Sequence, residues 1–238
     1  MKALEYIAKK YGVNINQRRQ PVEIKNTTRE TLAEMFCELD YKIGAEIGVE
    51  RGIYSEILLQ KNPKLEKLYS IDAWEAYEGY RDHMTQPEMD ELLEDTRKRL
   101  DPYGKRVEII KGFSTNVAKV FADESLDFVY LDANHDFEHV VEDIAAWEKK
   151  VKVGGIIAGH DYIRRKTNAF LMHVPYAIDA YVSAYQIKPL FVLGRKDARA
   201  NNNPKRGELR DSTRSWFYVK PQRPPMIPGY KQTLDNEK

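Results

Sequence analysis

Four clusters in this 238-residue chain carry residue types that do chemistry. They are Glu46-Ile47-Gly48-Val49-Glu50-Arg51-Gly52, then Asp72, then Asp132-Ala133-Asn134-His135, and finally His160-Asp161. Carboxylates and imidazoles set close together can hold a divalent ion or move a proton, and imidazole titrates near neutral pH. Gly48 and Gly52 allow positive φ and a close approach of backbone to ligand. Asp72 follows Gly52 by about 20 residues, the spacing at which an acid can accept both hydroxyls of a ribose. The Glu46–Gly52 turn is not G-x-G-x-x-G, and no Gly-Lys-Ser/Thr follows it, so the dinucleotide and P-loop readings lack their defining residues. The ligand this pattern points to contains a nucleoside and needs no pyrophosphate.

Each cluster must be positioned by the element before it. Short β-branched runs predict strands over Tyr41–Ile47, Leu68–Ile71, Val107–Ile110, Asp127–Leu131 and Ile156–Gly159, with closing strands over Leu190–Leu193 and Trp216–Val219. Helical spacing predicts helices over Tyr54–Gln60, Met89–Leu100 and Phe137–Lys149, the last with Val140, Val141, Ile144 and Trp147 on one face. A further helix follows Pro175, which suits a first helical position. Thr27-x-x-Glu30 reads as a capping box opening an earlier helix that buries Leu32, Met35, Phe36 and Leu39. The alternation predicts an α/β fold, a mostly parallel seven-stranded sheet with helices on both faces. In an open parallel sheet the carboxyl ends of the strands share one crevice, so residues distant in sequence converge on one rim. Residues 1–220 read as one domain with a helical lead-in over 1–40, and 221–238 as a Pro-rich irregular tail. The front half of the aromatic stretch from Trp74 to Gly104 reads as a lid.

Composition narrows the function. Lys and Arg number 38 against 37 Asp and Glu, a formal net charge of +1, which argues against a general nucleic-acid binder. The single cysteine, Cys37, excludes an internal disulfide and a Cys-based zinc site, and fits a reducing, cytoplasmic setting. The apolar runs fall short of the roughly 20 residues that span a bilayer, and the amino terminus lacks the apolar core of a signal peptide, so no membrane partner is expected. The basic segment from Arg195 to Arg214 reads as a solvated loop or as a recruiter of an anionic acceptor.

The sequence resembles the class I S-adenosylmethionine-dependent methyltransferases. The resemblance is carried by Gly44-Ala45-Glu46-Ile47-Gly48 through Ser55, Ser70-Ile71-Asp72-Ala73-Trp74, Lys111 through Ser114, Tyr130 through His135, and Gly154 through Tyr162. The subgroup it looks most like is similar to the catechol-type and sugar O-methyltransferases. Such a resemblance implies a Rossmann-like fold and methyl transfer from S-adenosylmethionine to an oxygen of a small-molecule or glycan acceptor. It implies that Gly48 and Gly52 pass the methionine moiety, with Glu46 or Ser55 near its amino and carboxyl groups. Asp72 would bind the ribose, with Trp74 nearby, and Phe113 and Ser114 would border the adenine. Asp132, itself beside the cofactor, would join His160 and Asp161 as ligands of magnesium or a similar divalent ion. His135 would be the catalytic base, at a position where the catechol enzymes have lysine. Histidine in place of the aspartate that opens the family's Asp-Asn pair makes a softer ion, or none, an open alternative, because magnesium prefers oxygen.

Plainer roles stand beside these. Asp72 and Asp132 could cap the segments that follow them. His160 could be a structural histidine bonding a carbonyl, and Trp74, Tyr77, Tyr80 and Tyr103 could be packing residues. His135 and His139 stand at i, i+4 without the Glu placement of a zinc-protease helix. Two other functions compete: a nicotinamide-dependent oxidoreductase, and a non-catalytic module that keeps the cofactor fold. The amino-terminal helices leave room for a homodimer.

Overall fold

The computed structural model describes residues 2–77, 84–164, 172–194 and 214–222. In chain order the elements are α1 (Ala3–Tyr11), β1 (Val22–Ile24), α2 (Arg29–Glu38), β2 (Ile43–Ile47), α3 (Ile53–Lys61), β3 (Lys67–Asp72) and α4 (Gln86–Leu100). A 3-10 turn over Asp101–Arg106 leads into β4 (Val107–Lys111) and α5 (Ser114–Ala118). Then follow β5 (Leu126–Leu131), α6 (Phe137–Glu148), β6 (Val151–Gly159), α7 (Val174–Ala184), β7 (Phe191–Leu193) and β8 (Trp216–Val219).

The strands form one sheet in the order β1-β7-β8-β6-β5-β2-β3-β4. All pairings are parallel except those of β8, which runs antiparallel to both β6 and β7. The sheet thus has eight strands where the sequence predicts seven. The additional strand, β1, lies in the amino-terminal lead-in and pairs with β7 through Val22–Phe191 and Ile24–Leu193. The central strand β5 shows why both faces are covered. Its side chains alternate, Phe128 and Tyr130 joining one apolar cluster with α1, α2 and α3, Val129 and Leu131 joining another with α5, α6 and α7. Gly44 is glycine because the Phe128 ring fills its face, where a Cβ would stand 2.1 Å from Cζ. Phe128 stacks in turn on Phe36 of α2, with centroids 4.0 Å apart.

Two local expectations are corrected. The α2 cap is Thr28, whose hydroxyl accepts from Glu30 N–H while Thr31 answers its backbone; the Thr27 hydroxyl instead donates to the Ile24 carbonyl. The strand predicted from Ile156 begins earlier: β6 starts at Val151, takes in Gly154 and Gly155, and shifts register against β5 between Leu126 and Phe128. Lys220 N–H donating to Gly155 O, and Gly154 N–H to Lys220 O, keep that stretch in the sheet. No helix among the described residues is long and apolar enough to cross a membrane. Tyr80, the segment 195–213 and the tail from 223 lie outside the described residues.

Candidate active site

The turn after β2 is shaped by its glycines and held by an acid. Gly48 has φ +85°, and a Cβ there would lie 2.1 Å from the carbonyl oxygen of Asp132. Only a glycine lets this turn press against the loop after β5. Asp72, at the end of β3, accepts the N–H groups of Val49 at 2.8 Å and Glu50 at 3.0 Å through one oxygen, and of Trp74 at 3.0 Å through the other. These contacts use three of the roughly four acceptor sites on a carboxylate, so the bracing role expected of a cap is present here. Trp74 is buried against Val49, Met89, Leu92 and Leu93, and its indole N–H donates to Glu50 O at 2.9 Å. It packs α4 onto the turn. Gly52, at φ +73°, opens α3 against Thr96 and Leu100.

Beneath the turn, Glu46 is almost fully buried and accepts a short hydrogen bond from the Ser55 hydroxyl, which contacts Ser70 Oγ at 2.7 Å. Burial pushes the Glu46 carboxyl up to about 8, against the pull of Ser55 and of the Arg29 charge. At the end of β4, Phe113 is exposed and meets Tyr77 edge-on at 5.6 Å. Ser114 faces inward: its hydroxyl donates to Asp143 and accepts from the Trp147 indole at 2.9 Å. Burial raises the Asp143 carboxyl to about 6.

The ends of β5 and β6 gather the remaining candidates. One donor atom each from Asp132, His135 and Asp161 lies within 4.8 Å of the others. His135 Nε2 is 2.9 Å from Asp161 Oδ2 and 3.8 Å from Asp132 Oδ1. That Nε2 is buried yet makes no aligned hydrogen bond, the arrangement of groups converging on a shared point rather than on each other. Burial opposes charge on His135, but the two carboxylates outweigh it and raise the imidazole to about 10. His160 was the expected third ligand. Its Nδ1 stands 3.6 Å from an oxygen of each carboxylate, and the tight group takes in His135 instead. The loop from Asp132 brings His135 back over Asp161, whose φ of +58° turns the chain sharply at the end of β6. Two carboxylates and an imidazole fit a divalent ion, and a borderline ion better than magnesium.

Residues 45–162 match the model of a family described as a methyltransferase domain. The chain carries a methyltransferase domain. Solved structures agree on the fold. TomG, an O-methyltransferase from Streptomyces achromogenes involved in tomaymycin synthesis and solved with S-adenosylmethionine, is 16% identical over 81% of this chain and 79% of its own, with a TM-score of 0.56. A cofactor-bound protein from MTB is 18% identical with the same coverage of both chains and a TM-score of 0.52. A precorrin 8w decarboxylase from Methanobacterium thermoautotrophicum is 15% identical over 80% of this chain and 88% of its own, at 0.51. Such distant likenesses show a shared Rossmann-like architecture, which here has the β8 reversal beside β6. No curated protein sequence matches the chain.

One charged residue beside this cluster has no signature in the sequence. Arg29, the first residue of α2, is 6% exposed and places Nη1 3.2 Å from Asp132 Oδ2. Its guanidinium stacks over the Tyr54 ring at 5.1 Å, and Tyr54 O–H donates to its carbonyl at 2.8 Å. Beside the cluster lies a small, partly open pocket, where Asp132, His135 and His160 meet an apolar wall of Val140, Val174 and Trp216.

Proposed function

We propose that the chain moves a methyl group from S-adenosylmethionine to a hydroxyl oxygen of a small-molecule or carbohydrate-like acceptor. The observation that carries this reading is the convergence of Asp132, His135 and Asp161 within 4.8 Å, next to the Gly48 turn, in a chain with a methyltransferase domain. In the reaction the acceptor oxygen attacks the methyl carbon, the carbon–sulfur bond breaks, and the hydroxyl proton leaves. Alignment of oxygen, carbon and sulfur supplies much of the rate. The Gly48–Gly52 turn receives the methionine chain, Asp72 takes the ribose, and the exposed Phe113 ring with the half-buried Tyr77 borders the adenine. The acceptor approaches over the small pocket beside His135 and His160, and its hydroxyl points at their imidazoles.

Asp132, His135 and Asp161 would hold a divalent ion, which when bound lowers the pKa of an acceptor hydroxyl as a Lewis acid. A single imidazole nitrogen cannot hold an ion and take up a proton together. His135 Nε2 is therefore either ligand or base, and in an ion-free site, where the two carboxylates raise the imidazole to about 10, the base role belongs to its minor neutral form and grows as pH rises. Calorimetry with S-adenosylhomocysteine tests the cofactor half: the chain binds it, and Asp72→Ala weakens binding about tenfold or more. No binding by the intact chain sinks the reading. Stripping ions with a chelator and restoring zinc, manganese or magnesium one at a time tests the other half. Turnover untouched by chelation assigns His135 to the proton instead.

A further inference from the structure

Arg29 is a buried guanidinium beside the carboxylates and imidazoles of the site. Taking a guanidinium out of water costs several kcal/mol unless a partner compensates it. Asp132 does so at 3.2 Å, while also facing His135 at 3.8 Å and His160 at 3.6 Å. Three cationic or potentially cationic groups thus share Asp132. Arg29 is also near enough to Glu46 and Tyr130 to act on both electrostatically. These residues surround the place where the Gly48 turn presses on the Asp132 backbone.

Two other arginines near this rim are committed elsewhere. Arg51 pairs with Asp95 at 2.5 Å and Arg99 with Glu56 at 2.7 Å, both tying α4 to the body of the domain. Arg29 is different because its partner lies inside the site. An arginine–carboxylate pair is the electrostatic complement of an α-amino acid zwitterion: the guanidinium matches the carboxylate, and the aspartate matches the ammonium. Arginine's fork also binds a carboxylate through two parallel hydrogen bonds, which lysine cannot reproduce.

We propose that Arg29, paired with Asp132, is the receptor for the amino-acid end of the cofactor, Arg29 taking its carboxylate and Asp132 its ammonium. This rests on the cofactor reading above. It makes the helix before the first core strand part of the binding site, and Arg29 the residue that distinguishes an intact cofactor from a bare nucleoside thioether.

The test is a calorimetric comparison of two probes in chelator-treated buffer. S-adenosylhomocysteine has the amino-acid end; 5′-methylthioadenosine keeps the nucleoside and sulfur without it. Arg29→Met preserves bulk over Tyr54 and removes the charge. It weakens S-adenosylhomocysteine about 10- to 100-fold and leaves 5′-methylthioadenosine unchanged. Arg29→Lys gives an affinity ratio between those of the wild type and Arg29→Met. Equal losses for both probes, or an unchanged ratio in either variant, overturn the assignment. If Arg29→Met fails to fold, the ratio in Arg29→Lys decides alone. A wild-type chain that binds neither probe overturns the cofactor reading, and this assignment with it. A wild type that binds both while the ratio ignores Arg29 overturns only this one.

Discussion

The two halves of the crevice are built by different means. On the β2–β3 side, hydrogen bonds to and from the backbone close on one another. Asp72 takes three backbone N–H groups, and the Glu50 carbonyl accepts both the Trp74 indole and the Thr96 hydroxyl at 2.9 Å. On the β5–β6 side, Asp132, His135, His160 and Asp161 face one another across 2.9–3.8 Å as one cluster of carboxylates and imidazoles. A loop whose polar groups satisfy each other keeps its shape without a ligand. A cluster of charges is stabilised most by a ligand that completes it, and structure there is subordinate to chemistry. The first half is a cradle and the second a reactive end.

The largest test of that contrast falls on the seam between the halves. Gly48→Ala places a Cβ 2.1 Å from the Asp132 carbonyl in a backbone with φ +85°. Neither loop can yield cheaply, so the expected loss is about 4 kcal/mol or more, read from urea melts. Destabilisation below about 1 kcal/mol would mean that the two loops are not locked together. Asp161→Asn comes next and separates stability from activity. Asparagine tolerates the left-handed backbone at this position and matches the shape of aspartate. Melting temperature is expected to hold, while methyl transfer falls on the order of 100-fold and S-adenosylhomocysteine still binds. A drop in melting temperature matching that of Gly48→Ala would make the cluster a structural ion-pair network, and the contrast would fail.

Sequence pattern exposes the cradle better than the reactive end, for physical reasons. Strands such as β5 and β8 are buried apolar runs with sharp punctuation, and the predicted Trp216–Val219 agrees with the observed strand to the residue. β1 has three residues and pairs with β7, far along the chain, so nothing local marks it. Arg29 follows a helix cap, where an arginine ordinarily reads as a solvated first-turn residue. Only the docking of α2 and α3 beneath the end of β5 puts it beside Asp132. His135 and His160 both stand near Asp132 in pattern. Which of them closes on Asp161 depends on how the loop before α6 turns, and spacing does not encode that. Trp74 looked like a cofactor contact, yet its burial under α4 makes it a brace of the turn.

Glu46 lies between the halves and gives the finest test. Its carboxyl is raised by burial from the ordinary carboxylate range to about 8. The folded chain therefore holds this proton over a pH range in which the unfolded chain has released it. Stability from this group is complete below the unfolded pKa and is lost as pH rises through the folded one, since the slope follows the excess of protons bound in the folded state. Glu46→Gln keeps the amide-sized side chain next to Ser55 and removes the titration. Between pH 6 and 7.5 the wild type should lose about 2 kcal/mol relative to the variant in paired urea melts. Asp161→Asn should leave that slope in place, because the Glu46 proton depends on burial beneath the cradle. Parallel profiles for wild type and Glu46→Gln would mean that Glu46 is ionised in the fold. Arg29 would then be its counter-ion rather than a partner reserved for Asp132 and the cofactor.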